Sequence, residues 1–238
     1  MRLQPLVIEV AEIEVNTACP RRCSYCPNAI PELRQADYHM PEALYAHIIA
    51  ELASADYIGR LSFHLYSEPL LRRDLAQLVS IARRMLPRTY FVVFSNGDLL
   101  TDTRHAELIE AGIDRFFVTR HDDKKMPSRS YQIVQHWTDM TLTSRGGLVA
   151  SAETLRRACH APAEMLIITV TGDVLLCHED GRREFVMGNL ERQSLREIWL
   201  AQEFVEKREL LRRGERAAAG GLCAHCDHTG YPVAGMTM

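Results

Sequence analysis

"VNTACPRRCSYCPNA", residues 15–29, sets Cys19, Cys23 and Cys26 in one loop, separated by three residues and then by two, behind a strand-like run at residues 13–16. Iron–sulfur clusters take cysteinate ligands. Three thiolates this close can wrap one face of a 4Fe-4S cube and leave its fourth iron without a protein ligand. An iron left open in this way is free to chelate an amine and a carboxylate from a small molecule. A zinc site would need a fourth ligand, and the nearest downstream histidine, His39, is poorly spaced to supply it.

The chain has seven cysteines, an odd number, which favours thiols kept for metal binding or redox chemistry over disulfides. The remaining four are Cys159, Cys177, Cys223 and Cys226. The last two form the tight pair "CAHC", and Cys177 ends a predicted hairpin, so two distant segments can close on one metal. Four thiolates complete a 4Fe-4S cluster and equally complete a zinc site, for which His225 and His228 are spare ligands. Spacing alone leaves both open, and Cys159 also reads as an inert core thiol.

With 238 residues, 47% of them hydrophobic, the chain has material for one full domain and a smaller appended one. A formal charge of -3 gives no general attraction to nucleic acid. No apolar run approaches the ~18 residues of a membrane span, and Glu9, Glu12 and Glu14 interrupt the apolar N-terminal stretch. The expectation is a cytoplasmic protein without nucleic-acid or membrane partners.

Apolar runs at 13–16, 61–65, 90–94 and 115–119 alternate with amphipathic stretches at about 41–52, after Asp74, and from Thr101 to Gly112. That alternation predicts βα units around a parallel sheet. Past Thr119 it is lost in "RHDDKKMPSRSYQ", which reads as a long loop. A strand-like "MTLTS" and the pair Gly146/Gly147 follow, then a hairpin over "EMLIITVTGDVLLC" turning at Thr171, Gly172 and Asp173. Ser194 and Glu197 form a capping box opening a helix that carries Leu195, Ile198, Trp199 and Leu211 before Gly214. The organisation changes near residue 145.

The cluster loop, with the aromatic Tyr25 before its last cysteine, resembles that of the radical S-adenosylmethionine (SAM) superfamily. "SFHLYSEPLL", "SNGDLLT", "TSRGG", "VLLCHED", "VMGNL" and the final "CAHC" extend the likeness over nearly the whole chain, to members with a short "twitch" auxiliary-cluster domain related to SPASM. The resemblance implies an α/β fold: an abridged, TIM-like (β/α) barrel over residues 1–145 and a hairpin-helix twitch domain over 146–238. It implies SAM and two 4Fe-4S clusters, the second held by Cys159, Cys177, Cys223 and Cys226. Tyr25, Tyr66, Ser67, Glu68, Ser95, Asn96 and Arg120 would contact SAM, with Glu68 taking its ammonium; Ser67 departs from the family's glycine. The implied reaction is oxidation of a secondary alcohol to a ketone on an aminocyclitol or aminoglycoside in antibiotic biosynthesis, with a flavodoxin- or ferredoxin-type reductant.

Arg145 and Glu179 would be the catalytic pair, and Phe94, Thr119 and His178 would join them around the substrate. Arginine is a poor base, so Arg145 suits stabilising an alkoxide or orienting the hydroxyl, and Glu179 suits a substrate ammonium. Phe94, His178 and Arg120 stand where an aminocyclitol-oxidising member has tyrosine, phenylalanine and glutamine, which puts an identical substrate in doubt. Two other readings compete. An epimerase commonly returns hydrogen from a cysteine, and none remains if all seven ligate clusters, unless Cys159 is the donor. A non-catalytic zinc module is the third.

Overall fold

A computed structural model describes residues 6–123, 125–151, 153 and 155–228. Eight strands form one sheet in the order β5-β4-β3-β2-β1-β6-β7-β8. They are β1 Val10–Ile13, β2 Arg60–Ser62, β3 Tyr90–Ser95, β4 Arg115–Arg120, β5 Gln132–His136, β6 Met165–Ile168, β7 Asp173–Leu175 and β8 Val186–Asn189. The ladder from β5 through β1 to β6 is parallel, and β6, β7 and β8 are antiparallel. Helices α1 Glu42–Ser54, α2 Leu75–Met85 and α3 Asp102–Ala111 connect the first four strands. The consecutive order β1 to β5 is that of an incomplete (β/α) barrel.

The helices form where their apolar spacing puts one stripe on the sheet. Leu44, Ile48 and Leu52 of α1 are buried, as are Leu75, Leu78, Val79 and Ala82 of α2. Thr101 caps α3 by accepting from the Arg104 amide at 3.1 Å, and Gly112 ends it at φ 117°. Asp74 stands at the N-cap of α2 but makes no capping bond, because Arg72 takes its carboxylate in a paired contact at 2.9 and 3.0 Å.

Two expectations are corrected, and one strand is added. The long loop expected after β4 is present, but it leads into β5, an edge strand that pairs with β4 from Phe116↔Gln132 to Arg120↔His136. "MTLTS" forms no strand; Met140–Thr143 line a cleft, the Met140 amide donates to the Trp137 carbonyl at 3.2 Å, and the Ser144 amide donates to the Asp227 carboxylate at 2.9 Å. The helix after Ser194 is two, α5 Leu195–Trp199 and α6 Gln202–Arg212, broken at Leu200–Ala201. Short helices α4 Ala161–Glu164 and α7 Arg216–Ala219 complete the chain. The capping box is present, with Ser194 and Glu197 bonding reciprocally.

The predicted hairpin is β6–β7, closed by Gly172 at φ 81°. Its first strand also pairs in parallel with β1, from Val10↔Met165 to Ile13↔Ile168. The later third of the chain therefore extends the same sheet. Side chains reinforce this join: Glu14 accepts from the Val170 amide at 3.0 Å and from Arg183 at 2.8 Å, and Glu51 of α1 accepts from the Leu195 amide at 2.6 Å.

Candidate active site and cluster-binding cysteines

The cluster loop begins where β1 leaves the sheet. Asn16 bridges to His39 at its base, and the Asn16 amide donates to the carbonyls of Ala18 at 3.2 Å and Glu68 at 3.1 Å. The Glu68 amide donates back to Ala18 at 2.8 Å. These bonds pin the loop to the "YSEP" segment. The Cys26 amide closes a turn on the Cys23 carbonyl at 2.9 Å. His39 pairs with Asp37 at 3.3 Å and is engaged away from the thiols.

Glu68 joins this loop to the end of β3. It is 2% exposed, and its carboxylate accepts from the Ser95 hydroxyl at 2.9 Å and from the amides of Asn96 at 2.8 Å and Leu70 at 3.0 Å. Burial pushes the carboxyl up to about 6 against the pull of these donors. The Asn96 side-chain amide lies 3.9 Å from the Cys19 sulfur. Tyr25 stacks on Trp137 with ring centroids 5.4 Å apart, and its hydroxyl meets His121, whose Nδ1 is 3.4 Å from the Cys23 sulfur. Ser67 Oγ and Arg120 Nε are buried without hydrogen-bond partners. Orphaned buried polar atoms of this kind, one of them next to Glu68 in the chain, fit a site built for a polar ligand.

A cleft follows on the inner face of the sheet. Glu12 of β1, Arg60 of β2, His64 and Phe94 line its strand-built wall, while Tyr66, Met140–Thr143, Arg145, His178 and Glu179 line the rest. Phe94 stacks between His64 (4.8 Å) and Phe117 (5.2 Å). Thr119 lies on β4 two residues past Phe117 and is not in the lining. Tyr66 lies in this cleft with the Arg145 guanidinium 5.7 Å from its ring centroid, and its hydroxyl donates to the His178 carbonyl.

Arg145 and Glu179 meet here as a buried ion pair at 2.9 Å. Glu179 also receives His178 Nε2 at 3.0 Å and the Thr143 hydroxyl at 2.8 Å. Burial alone would raise its carboxyl, but His178 and Arg145 outweigh it and hold the group well below the usual carboxylate range. Burial, with His178 beside it, pushes His228 down to about 4. The Arg145 backbone is left-handed at φ 53°, followed by Gly146 and Gly147 at 62° and 82°. A Cβ on Gly146 would meet Leu222 at 2.9 Å, so the "SRGG" turn is shaped to lie against the last cysteine segment.

Cys159, Cys177, Cys223 and Cys226 line a single cavity. Cys177, Cys223 and Cys226 are buried, and all four are free thiols. Burial, then the other cysteines nearby, pushes Cys177 well above the usual thiol range and Cys223 up to about 12, while burial, then the Glu179 carboxylate, takes Cys226 up to about 11. Four convergent thiols in a low-dielectric site fit a cationic metal centre, which reverses that penalty on deprotonation. Arg216, fully buried, fixes the segment by donating to the carbonyls of Arg157 (3.1 Å), Cys226 (3.1 Å) and His228 (2.8 Å). Glu179 and His228 line both this cavity and the cleft.

Residues 13–123 match the Radical SAM superfamily model, and residues 159–227 match SPASM, an iron-sulfur cluster-binding domain. The chain is 34% identical over 236 residues to the S-adenosyl-L-methionine-dependent 2-deoxy-scyllo-inosamine dehydrogenase of Niallia circulans, covering 93% of this chain and 94% of that protein. This chain belongs to the radical SAM superfamily. A crystal structure of BtrN in complex with AdoMet and 2-DOIA resembles this radical SAM protein with a TM-score of 0.88 at 33% identity, over 95% of each chain. SuiB of Streptococcus suis, 12% identical with a TM-score of 0.55, shares the fold over 93% of this chain and 71% of its own.

The radical SAM assignment makes SAM and 4Fe-4S clusters the cofactors, and the segment that carries the second cysteine set matches an iron-sulfur cluster-binding domain. Sequence reasoning missed Glu12, Arg60, His64, His121, Trp137 and Arg216. Only Glu12 left a signal: a carboxylate inside an otherwise apolar strand marks the face turned to a polar cavity.

Proposed function

We propose that this radical SAM dehydrogenase oxidises a secondary alcohol of an aminocyclitol or closely related aminoglycoside precursor to a ketone. The observation that carries the reading is the convergence of Cys159, Cys177, Cys223 and Cys226 on one cavity that shares Glu179 and His228 with the cleft. With SAM and both clusters bound, these groups supply hydrogen-atom abstraction from the carbinol carbon and an acceptor for the electron left behind. The cysteine count favours this over epimerisation, because no thiol remains to return a hydrogen.

The chain's own residues then have definite tasks. Cys19, Cys23 and Cys26 would hold the first cluster, and Glu68, Ser67, Ser95, Asn96, Tyr25 and Arg120 would surround SAM. Arg145, paired with an ionised Glu179, would orient the substrate hydroxyl and stabilise negative charge on its oxygen. Phe94 and Tyr66 add aromatic surface to the cleft lining and help exclude water from it. Thr119, expected at the substrate, lies outside the lining of this cleft. The division into a core over 1–145 and an auxiliary domain over 146–238 belongs to this reading, as do a flavodoxin- or ferredoxin-type reductant and the cytoplasm as its setting. Among the described residues no helix is long and apolar enough to cross a membrane.

Iron analysis of anaerobically purified protein tests the cofactor arrangement. About eight irons per chain are expected, falling to about four in Cys177→Ala. Zinc without iron would overturn the reading.

A further inference from the structure

We propose that Glu12 is the carboxylate that takes the substrate's ammonium group, setting which end of the ring faces Arg145. The inference rests on the aminocyclitol reading above and moves the ammonium away from Glu179. Both Glu179 oxygens are already engaged, one by Arg145 and His178 at 2.9 and 3.0 Å and the other by Thr143 at 2.8 Å. A carboxylate so saturated, neutralised by a guanidinium, offers little to a second cation.

Glu12 is in the opposite condition. Its side chain is 10% exposed on the inner face of β1, in the cleft wall, and among the described residues it accepts no hydrogen bond. Its charged neighbour Arg60 stands at 4.0 Å, the outer limit of an ion pair. Burying a carboxylate with so few donors is costly unless a ligand completes it. An ammonium brings three donors. His64 adds Nδ1, buried and without a partner, on the same wall. The same cleft is also lined by Leu65, Tyr66, Phe94 and Met140, apolar surface suited to a ring whose polar groups are taken elsewhere in the lining. The Glu12 carboxylate and a separate Arg145–Glu179 pair in one partly apolar cleft select a ring with an amine at one position and the reacting hydroxyl at another.

The test measures calorimetric binding to the SAM-loaded holoenzyme under anaerobic conditions. The probes are 2-deoxy-scyllo-inosamine and the cyclitol carrying a hydroxyl in place of its amino group. The wild type is expected to prefer the amine by roughly 10- to 100-fold, as a charge-assisted hydrogen bond provides, and Glu12→Gln to bind the two alike. Glu12→Asp, which keeps charge and fold but withdraws the carboxylate by one methylene, is expected to lose about 10-fold for the amine and nothing for the hydroxyl compound. Retention of the full amine preference in either variant overturns the assignment to Glu12 while leaving the aminocyclitol reading intact. A wild type that binds neither compound overturns that reading and this proposal together.

Discussion

Glu68 and Arg145 show how two side chains of ordinary type acquire special behaviour from placement. Glu68 is held by three donors yet titrates near 6, above its ordinary value of 4.5, because burial outweighs them. A folded-state value raised in this way means that its contribution to stability is fully present below pH 4.5 and is lost as pH rises through about 6. The loss is about 2 kcal/mol. The stability of the ligand-free protein to heat is therefore expected to fall between pH 4.5 and 6.5 by most of that amount, and Glu68→Gln to flatten this segment of the profile. Arg145 has a different dependence. Its guanidinium reaches Glu179 from a left-handed backbone, and lysine keeps the charge but not the planar fork. Arg145→Lys is expected to lower the rate of substrate oxidation by about 10- to 100-fold while leaving SAM affinity unchanged, checked by single-turnover kinetics beside a SAM titration.

The elements behave as their sequences require where contacts are local. The periodic stripes of α1 and α2, the Thr101 cap, the Gly112 terminator and the Ser194–Glu197 capping box were all legible, because each depends on residues a few positions apart. Ser194→Ala is expected to cost about 1 kcal/mol in a denaturant melt, since the serine hydroxyl accepts from the Glu197 amide and Glu197 answers to the serine amide. What was not legible depends on distant partners. β5 hides behind a charged stretch, and its exposed Ile133 and Val134 give no alternation to read. β1 lies at Val10–Ile13, earlier than its apolar run suggests, because β2 and β6 set its register from far along the chain. "MTLTS" has β-prone residues, but they line a cleft instead of pairing.

In the whole molecule, one sheet carries two cysteine sites and the cleft that adjoins them. The motifs of each site could be read from spacing, since a cluster loop and a "CAHC" pair are local patterns. The connection between sites could not, because it is made by Glu179, His228 and Tyr66, single residues brought together by the parallel pairing of β1 with β6 and the turn at Arg145. This arrangement makes the outcome of the radical reaction the central question. The decisive measurement is anaerobic turnover of reduced holoenzyme with SAM and 2-deoxy-scyllo-inosamine in deuterated water, followed by mass spectrometry. The account predicts 5'-deoxyadenosine together with a ketone lighter than the substrate by two hydrogens. A product that instead gains a solvent deuteron at carbon and retains its alcohol would contradict it.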